Sequence, residues 1–100
     1  MNHYLGMRDP KGEAVVKLNG QPFDPSRSQR VRNHSPSGFE WGYGGSGPAQ
    51  LALAILLEEV DEDCALNLYQ DFKWVVIARL DGEWMMDSNS IQSALESLPR

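Results

Sequence analysis

Residues 48–57 read Pro-Ala-Gln-Leu-Ala-Leu-Ala-Ile-Leu-Leu, and this segment determines how the rest of the chain must pack. From Leu51 to Leu57 every residue is apolar and favours a helix. Pro48 suits the start of that helix, where a backbone N–H would have no partner. A helix that is apolar on every side is a buried one, and this run is too short to cross a bilayer. We therefore predict that it is the central helix of the domain.

The chain before this helix is rich in glycine, and five of the nine glycines lie between Gly38 and Gly47. Residues 42–47, Gly-Tyr-Gly-Gly-Ser-Gly, match the pattern G-x-G-x-x-G, in which glycines let backbone N–H groups approach an anion at a helix N-terminus. No apolar strand precedes the pattern, which excludes a dinucleotide-binding fold, and no lysine follows it, which excludes a Walker loop. Ser46 or Gly47 suits the cap of the helix, and Gln50 is placed to reach back to that cap.

Two interpretations of this glycine-rich segment stay open. In the first, its N–H groups and the helix dipole form a site for an anion or a phosphate. In the second, the glycines only let the chain turn sharply and pack against Trp41 or Trp74, while Ser46 serves as a cap.

Residues 25–37 contain the one basic cluster, Arg27, Arg30 and Arg32, and aromatic residues follow it closely. Arginines beside exposed aromatic rings are typical of surfaces that stack nucleotides and bind phosphates. The opposing interpretation places the rings in the core and leaves the arginines solvated or paired with acidic residues. If this segment and the glycine-rich segment converge, we expect a ligand to be bound by Arg30, Arg32, His34, Gly44, Gly45, Ser46 and Gly47.

Two other functions also stay open. Five carboxylates between Glu58 and Asp63 suit either a solvated turn between helices or an acidic surface for a basic protein partner, as in an inhibitor. A hydrolase would need Ser46 as nucleophile and His34 as base, oriented by Glu40, but the G-x-S-x-G pattern fails at Pro48. The sequence leaves open whether the protein is an enzyme, although it favours a protein without catalysis. Two histidines and one cysteine argue against a zinc site, and we expect no metal or other cofactor.

The first quarter of the chain predicts an antiparallel β-meander. Asn19-Gly20 is a strong signal for a hairpin turn, and strands are predicted at His3–Met7, Glu13–Leu18 and Gln21–Asp24. Residues 25–37 show no clear period and predict a surface loop. Phe39, Trp41 and Tyr43 alternate, so they would share one face of an extended segment.

The second half predicts two more helices. Apolar residues recur at helical spacing from Leu66 to Leu80, although Lys73–Leu80 also suits a strand that turns at Asp81-Gly82. Trp84–Asp87 suits a short extended piece, and a final helix starts at Ser88 or Asn89. The prediction is a single α+β domain over residues 1–100, in which a small antiparallel meander packs on a buried central helix with two further helices.

Composition narrows the function classes further. One hundred residues with a formal net charge of −5 argue against general nucleic-acid binding, which needs a positive surface. The charge is uneven: residues 1–50 carry +2 and residues 51–100 carry −7. No membrane span or secretion signal is visible, and a lone Cys64 forms no internal disulfide, so we expect a cytoplasmic protein. Partner and oligomeric state are left open.

Residues 33–54, Asn-His-Ser-Pro-Ser-Gly-Phe-Glu-Trp-Gly-Tyr-Gly-Gly-Ser-Gly-Pro-Ala-Gln-Leu-Ala-Leu-Ala, resemble the signature of a family of short bacterial, plasmid and phage proteins of unknown function. The resemblance extends over most of the chain and takes in Tyr4, Gly6, Arg8, Tyr69, Phe72, Lys73 and Trp84. It implies a small cytoplasmic accessory protein, often carried on mobile DNA, with no assigned activity and no catalytic residue to carry over.

Overall fold

The computed structural model describes residues 1–99. Its strands are β1 (His3–Arg8), β2 (Ala14–Leu18), β3 (Gln21–Pro22) and β4 (Trp84–Asp87), and its α-helices are α1 (Ser26–Val31), α2 (Ser46–Glu59), α3 (Glu62–Val75) and α4 (Ser88–Glu96). A 3-10 turn, Ile77–Arg79, follows α3. The strands form one antiparallel sheet in the order β3-β2-β1-β4. The α+β class predicted from the sequence is confirmed.

The first three strands form the predicted meander because its turns contain the residues that the backbone requires. Between β1 and β2, the Gly12 N–H donates to the Asp9 carbonyl oxygen at 2.8 Å. Between β2 and β3, Asn19 and Gly20 have φ angles of 53° and 82°, as a type I′ turn needs. Strand β3 has only two residues, since Pro22 has no N–H to extend the ladder.

A fourth strand completes the sheet, so the prediction of three strands is incomplete. Strand β4 pairs with the other edge of β1, which places Gly6 opposite Trp84. A Cβ atom at Gly6 would overlap the Trp84 indole, so this glycine makes room for the ring. Four residues far along the chain carry too little pattern to reveal such a pairing.

Helix α1 occupies part of the segment 25–37, so the prediction of a surface loop is wrong for residues 26–31. The Asp24 carboxylate accepts the Ser26 N–H at 2.9 Å at the start of the helix. The buried Ser28 hydroxyl accepts a hydrogen bond from Gln50 Nε2 at 3.0 Å. Because a polar tertiary contact holds this short helix, no apolar period reveals it. Within residues 1–99, three helices rather than two therefore accompany α2.

Helix α2 is buried along its apolar run, as predicted, with residues from Leu51 to Leu56 at most 4% exposed. It packs against α1, α3 and the 3-10 turn. Tyr4, Val16 and Trp84 of the sheet belong to the same apolar core. The sheet and the helices thus share the side chains of α2, and burying them is the main driving force for this fold.

The helical interpretation of the segment from Leu66 is confirmed. Helix α3 continues to Val75, the 3-10 turn follows, and Gly82 with φ of 58° lies in the turn before β4. Helix α4 begins at Ser88, as predicted, because the Asp87 carboxylate accepts the Ser90 N–H at 2.9 Å. In the part of the chain that the structure describes, no helix has the length and apolar character needed to cross a membrane.

Candidate functional site

We call residues 42–47 the glycine loop, and its glycines have packing roles of their own. Gly42 has φ of 88°, a left-handed conformation that favours glycine. Gly44 lies against the indole of Trp74, where a Cβ atom would overlap the ring. A Cβ atom at Gly47 would lie 2.6 Å from the Cβ of Glu40. The missing side chain of Gly44 therefore lets the loop lie close to α3, and that of Gly47 lets it lie close to Glu40.

Helix α2 begins within the glycine loop, with Gly45 as its N-cap and no capping bond from a side chain. The expectations that Ser46 caps the helix and that Gln50 reaches back to the cap are therefore wrong. Within residues 1–99, the N–H groups of residues 44–47 donate to no acceptor. Ser46 is exposed and Gly44 and Gly45 are partly exposed, so residues 44–46 reach the surface at the positive end of the α2 dipole, whereas the predicted site residue Gly47 is buried.

Lys73 projects from α3 to the same place. The residue is 7% exposed, and its Nζ lies 3.4 Å from the Gly44 carbonyl oxygen and 4.4 Å from the centre of the Trp74 ring. No carboxylate of the described chain lies within ion-pair distance of this ammonium group. A buried ammonium group normally has a counter-ion, because water no longer solvates its charge. Within residues 1–99, a carbonyl oxygen and an aromatic ring contact the charge of Lys73, but no carboxylate pairs with it.

His34 lies on the other side of this surface and also contacts α3. Its Nε2 lies 2.6 Å from the hydroxyl oxygen of Tyr69, a residue that is 2% exposed. Burial lowers the pKa of His34 below its usual value, and the charges of Arg32 and Lys73 lower it further. A neutral His34 that accepts from the Tyr69 hydroxyl carries its proton on Nδ1, and that N–H is a possible donor to a ligand.

Gln50 is the residue that fixes this geometry. Its side chain is fully buried, and Oε1 accepts the N–H of His34 at 2.7 Å and of Ser35 at 3.0 Å. Its Nε2 donates to Ser28 and to the Arg32 carbonyl oxygen at 3.1 Å. One amide thus satisfies four groups of the segment 28–35. The sequence signal for this role is a lone glutamine in an otherwise apolar run, a pattern from which we predict a cap and not a contact with residues 28–35.

The two predicted segments converge on one helix. His34 contacts Tyr69, and the carbonyl of Gly44 contacts Lys73, which lies one helical turn further along α3. Sequence reasoning named His34 and Gly44 but missed Tyr69 and Lys73, the residues of α3 that they contact. Tyr69 and Lys73 are four residues apart in a helical pattern, so they share one face, but the pattern does not say which loop that face contacts.

The arginines of the basic cluster have different surroundings. Arg32 is exposed, and its charge acts on His34. Arg30 is exposed on α1, and its charge acts on Asp24 and helps to lower the pKa of that carboxyl group, though less than the hydrogen bonds from Ser26 do. The structure therefore relates Arg32, but not Arg30, to His34 electrostatically.

The groups named for a hydrolase have other partners. Glu40 forms an ion pair with Arg8 at 2.8 Å, and the guanidinium of Arg8 lies 4.2 Å from the centre of the Trp41 ring. His34 bonds to Tyr69 as described, and within residues 1–99 neither Glu40 nor Ser46 donates to it or accepts from it. The triad of Ser46, His34 and Glu40 is not assembled through hydrogen bonds.

Much of the acidic run is used within the fold. Glu58 pairs with Arg27 at 2.9 Å, and Glu59 accepts the Tyr4 hydroxyl at 2.6 Å. Asp61 caps α3 by accepting the Cys64 N–H at 2.8 Å. Glu62 and Asp63 lie exposed in the first turn of α3, where their negative charges interact favourably with the positive end of the helix dipole.

The three aromatic residues between Phe39 and Tyr43 do not share one face. Trp41 is buried and its Nε1 donates to the Gly82 carbonyl oxygen at 3.1 Å. Phe39 packs on Phe23 with 5.3 Å between ring centres. Tyr43 is 52% exposed and lies over Gly45. Irregular backbone, rather than a strand, connects these residues.

No group of three or more histidine, cysteine, aspartate or glutamate side chains in residues 1–99 is arranged to hold a metal ion. Together, the described residues form a small α+β protein in which the segment around His34 and the glycine loop contact one face of α3 near the start of α2.

A family model described as "Family of unknown function (DUF6166)" matches residues 4–97. The chain belongs to that family. No curated protein matches the chain, and no solved structure matches it. The family description assigns no activity, so the function must be argued from the site itself.

Proposed function

We propose that the protein binds a small anionic ligand, a phosphate ester or a nucleotide, where the glycine loop meets α3. The observation that carries this proposal is the ammonium group of Lys73, which is buried beside Gly44 without a carboxylate partner in the described chain. Keeping a cation there is costly, and a bound anion would supply the missing opposite charge.

Backbone donors support an anion at this place. The N–H groups of residues 44–47 have no acceptor within residues 1–99, and they stand at the positive end of a fourteen-residue helix. The nearby Glu40 carboxylate is neutralised by Arg8. Arg32 and the Nδ1 of His34 would add charge and a further donor on the opposite side.

Two exposed aromatic rings favour a ligand that has a ring of its own. Trp74 is 57% exposed and lies on Gly44, and Tyr43 lies on Gly45. Aromatic side chains beside a cation offer a stacking surface for a base, as nucleotide-binding surfaces do. We therefore rank a nucleotide above inorganic phosphate. The biological setting that we propose, a cytoplasmic accessory protein carried on mobile bacterial DNA, rests on the resemblance of residues 33–54.

A thermal-shift titration tests the proposal. Inorganic phosphate, pyrophosphate and ADP are added to the wild-type protein at constant ionic strength, with chloride as the reference anion. A ligand that binds only the folded state raises Tm by mass action, so we expect ADP and pyrophosphate to raise it and chloride not to. In Lys73→Met the rise should disappear, because a charge-assisted bond is worth roughly 1.5–3 kcal/mol.

The matched control is Lys17→Met, the same chemical change on β2, outside the site. It lowers the net charge by the same amount and should leave the rise in Tm unchanged. A flat response of the wild-type protein to all three anions, or an equal response of Lys73→Met and Lys17→Met, would overturn the proposal.

A further inference from the structure

The outer edge of β4 is a second surface with unused bonding groups, and it shares no residue with the proposed anion site. Strand β4 stands last in the sheet order, so within residues 1–99 only β1 pairs with it. Met85, in its middle, is 81% exposed. An exposed apolar residue on an unpaired strand edge is uncommon. The free backbone groups of such an edge can pair with strands of other chains, and native proteins usually prevent this with charged residues or proline.

The hydrogen-bond register shows which groups of β4 face outward. The Ser88 N–H donates to the Asn2 carbonyl oxygen at 3.0 Å, so Asn2 and Ser88 form a hydrogen-bonded pair next to the β1–β4 ladder. Such pairs alternate along antiparallel strands. The backbone groups of Met86 and Trp84 therefore face β1, and the N–H and carbonyl of Met85 face away from it.

An apolar groove lies beside this edge. It has a volume of about 200 Å³ and is lined by residues of α3, α4 and the segment between them, chiefly Phe72, Val76, Leu80, Met86, Ile91 and Ala94. A strand added to β4 would direct alternate side chains into this groove and onto Met85. Backbone bonding and apolar contact would thus act together, as in other peptides that extend a sheet.

The charge around the edge determines the kind of strand that fits. Glu83 and Asp87 lie two residues from Met85 on either side, Glu83 in the turn before β4 and Asp87 at the end of the strand. Both side chains are acidic, and one carboxylate oxygen of Asp87 accepts the Ser90 N–H. A strand with lysine or arginine opposite both carboxylates would be complementary to this edge. If two copies of the chain paired antiparallel through Met85, Glu83 of each copy would lie opposite Asp87 of the other. These like charges would destabilise such a dimer.

We infer that the β4 edge binds an extended peptide segment of a partner protein, with an apolar centre flanked by basic residues, as an added antiparallel strand. The central residue of that segment lies opposite Met85 and exchanges both backbone hydrogen bonds with it. Its apolar neighbours enter the groove, and its outer basic residues pair with Glu83 and Asp87. This inference is independent of the anion site.

The test uses a labelled synthetic peptide, acetyl-Gly-Lys-Val-Leu-Val-Lys-Gly-amide, titrated into the full chain and followed by fluorescence anisotropy. The matched control is the same peptide with the leucine nitrogen methylated. This change removes one backbone donor and keeps the side chains and the net charge. We expect the methylated peptide to bind about threefold to tenfold more weakly, the value of one hydrogen bond, and added salt to weaken the parent peptide.

Met85→Pro provides the matching change in the protein. It removes an N–H that faces away from β1, so the β1–β4 ladder stays complete, and Met85→Ala serves as its control. We expect Met85→Pro to weaken the peptide more than Met85→Ala does. The inference is overturned if the parent peptide does not bind at millimolar concentration or if methylation has no effect. It is also overturned if sedimentation shows a wild-type dimer that Met85→Pro dissociates, because the edge then binds a second copy. If Met85→Pro fails to fold, the two peptides still decide the question.

Discussion

Nε2 of His34 lies 2.6 Å from the hydroxyl oxygen of Tyr69, thirty-five residues further along the chain. This contact attaches the loop after α1 to the face of α3 that also contacts the glycine loop. Burial, and then the charges of Arg32 and Lys73, lower the pKa of the His34 ring, which favours its neutral form. The pair therefore links the geometry of the proposed site to pH.

Stability should fall as the pH drops below the usual histidine pKa of 6.5. The folded-state pKa of His34 lies below that value, so in this window the unfolded chain binds a proton that the folded chain does not, and acid favours unfolding. The loss is complete once the pH is below the folded-state pKa. Urea unfolding between pH 8 and pH 5 measures it.

In His34→Gln part of this pH dependence should vanish, while His3→Gln, at the exposed histidine of β1, serves as the control and should retain the wild-type profile. Identical profiles for His34→Gln and the wild-type protein would show that His34 does not cause the loss.

Gln50→Leu should destabilise the protein by about 3 kcal/mol or more, because each buried polar group left without a partner costs roughly 1–3 kcal/mol. Four groups of the segment 28–35 lose their partner in this variant. Gln70→Leu on the exposed surface of α3 should change stability by less than about 0.5 kcal/mol. Urea denaturation compares the two. Equal effects would mean that the Gln50 amide does not hold the segment.

Gly44→Ala should destabilise by about 1–3 kcal/mol, since the new methyl group overlaps the Trp74 ring and one of them must move. Trp74→Ala should cost little, because the ring is more than half exposed. In the double variant, most of the cost of Gly44→Ala should disappear. Additive effects in the cycle would instead locate the strain in the backbone of Gly44 rather than against Trp74.

Lys73→Met should leave the free energy of unfolding unchanged or raise it by up to about 1 kcal/mol, although it abolishes the response to pyrophosphate. Within residues 1–99 the ammonium group has a single hydrogen-bond contact, at 3.4 Å, and replacing a poorly compensated buried charge by an apolar group of similar length is often neutral or stabilising. Loss of stability comparable to that in Gln50→Leu would assign Lys73 a structural role. Chemical denaturation with and without pyrophosphate separates the two effects.

Local chemistry explains why much of the fold could be predicted. The Asn19-Gly20 turn requires positive φ angles that few residues adopt, and the run from Leu51 to Leu57 has no polar face to expose. Both features are determined within a few residues. Strand β4 and helix α1 depend instead on β1 and on Gln50, which are distant in the sequence, so no local pattern predicted them with the same strength.

The candidate site likewise contains residues that the sequence reveals and residues that only the structure reveals. His34 and the glycine loop stand out by residue type, and sequence reasoning named them. Lys73 and Tyr69 look like ordinary members of an amphipathic helix, and only the packing of two loops on α3 gives them a further role. Arg30 illustrates the converse, since its charge acts on Asp24, while those that lower the pKa of His34 belong to Arg32 and Lys73.

The inner position of β1 has a consequence for synthesis of the protein. Its neighbours are β2, which follows at once, and β4, which ends at residue 87. A nascent chain therefore carries one unpaired side of β1 until Trp84–Asp87 has left the ribosome. Completion of the sheet waits for the synthesis of β4, and a product terminated before these residues retains an unpaired strand edge that chaperones or proteases can bind.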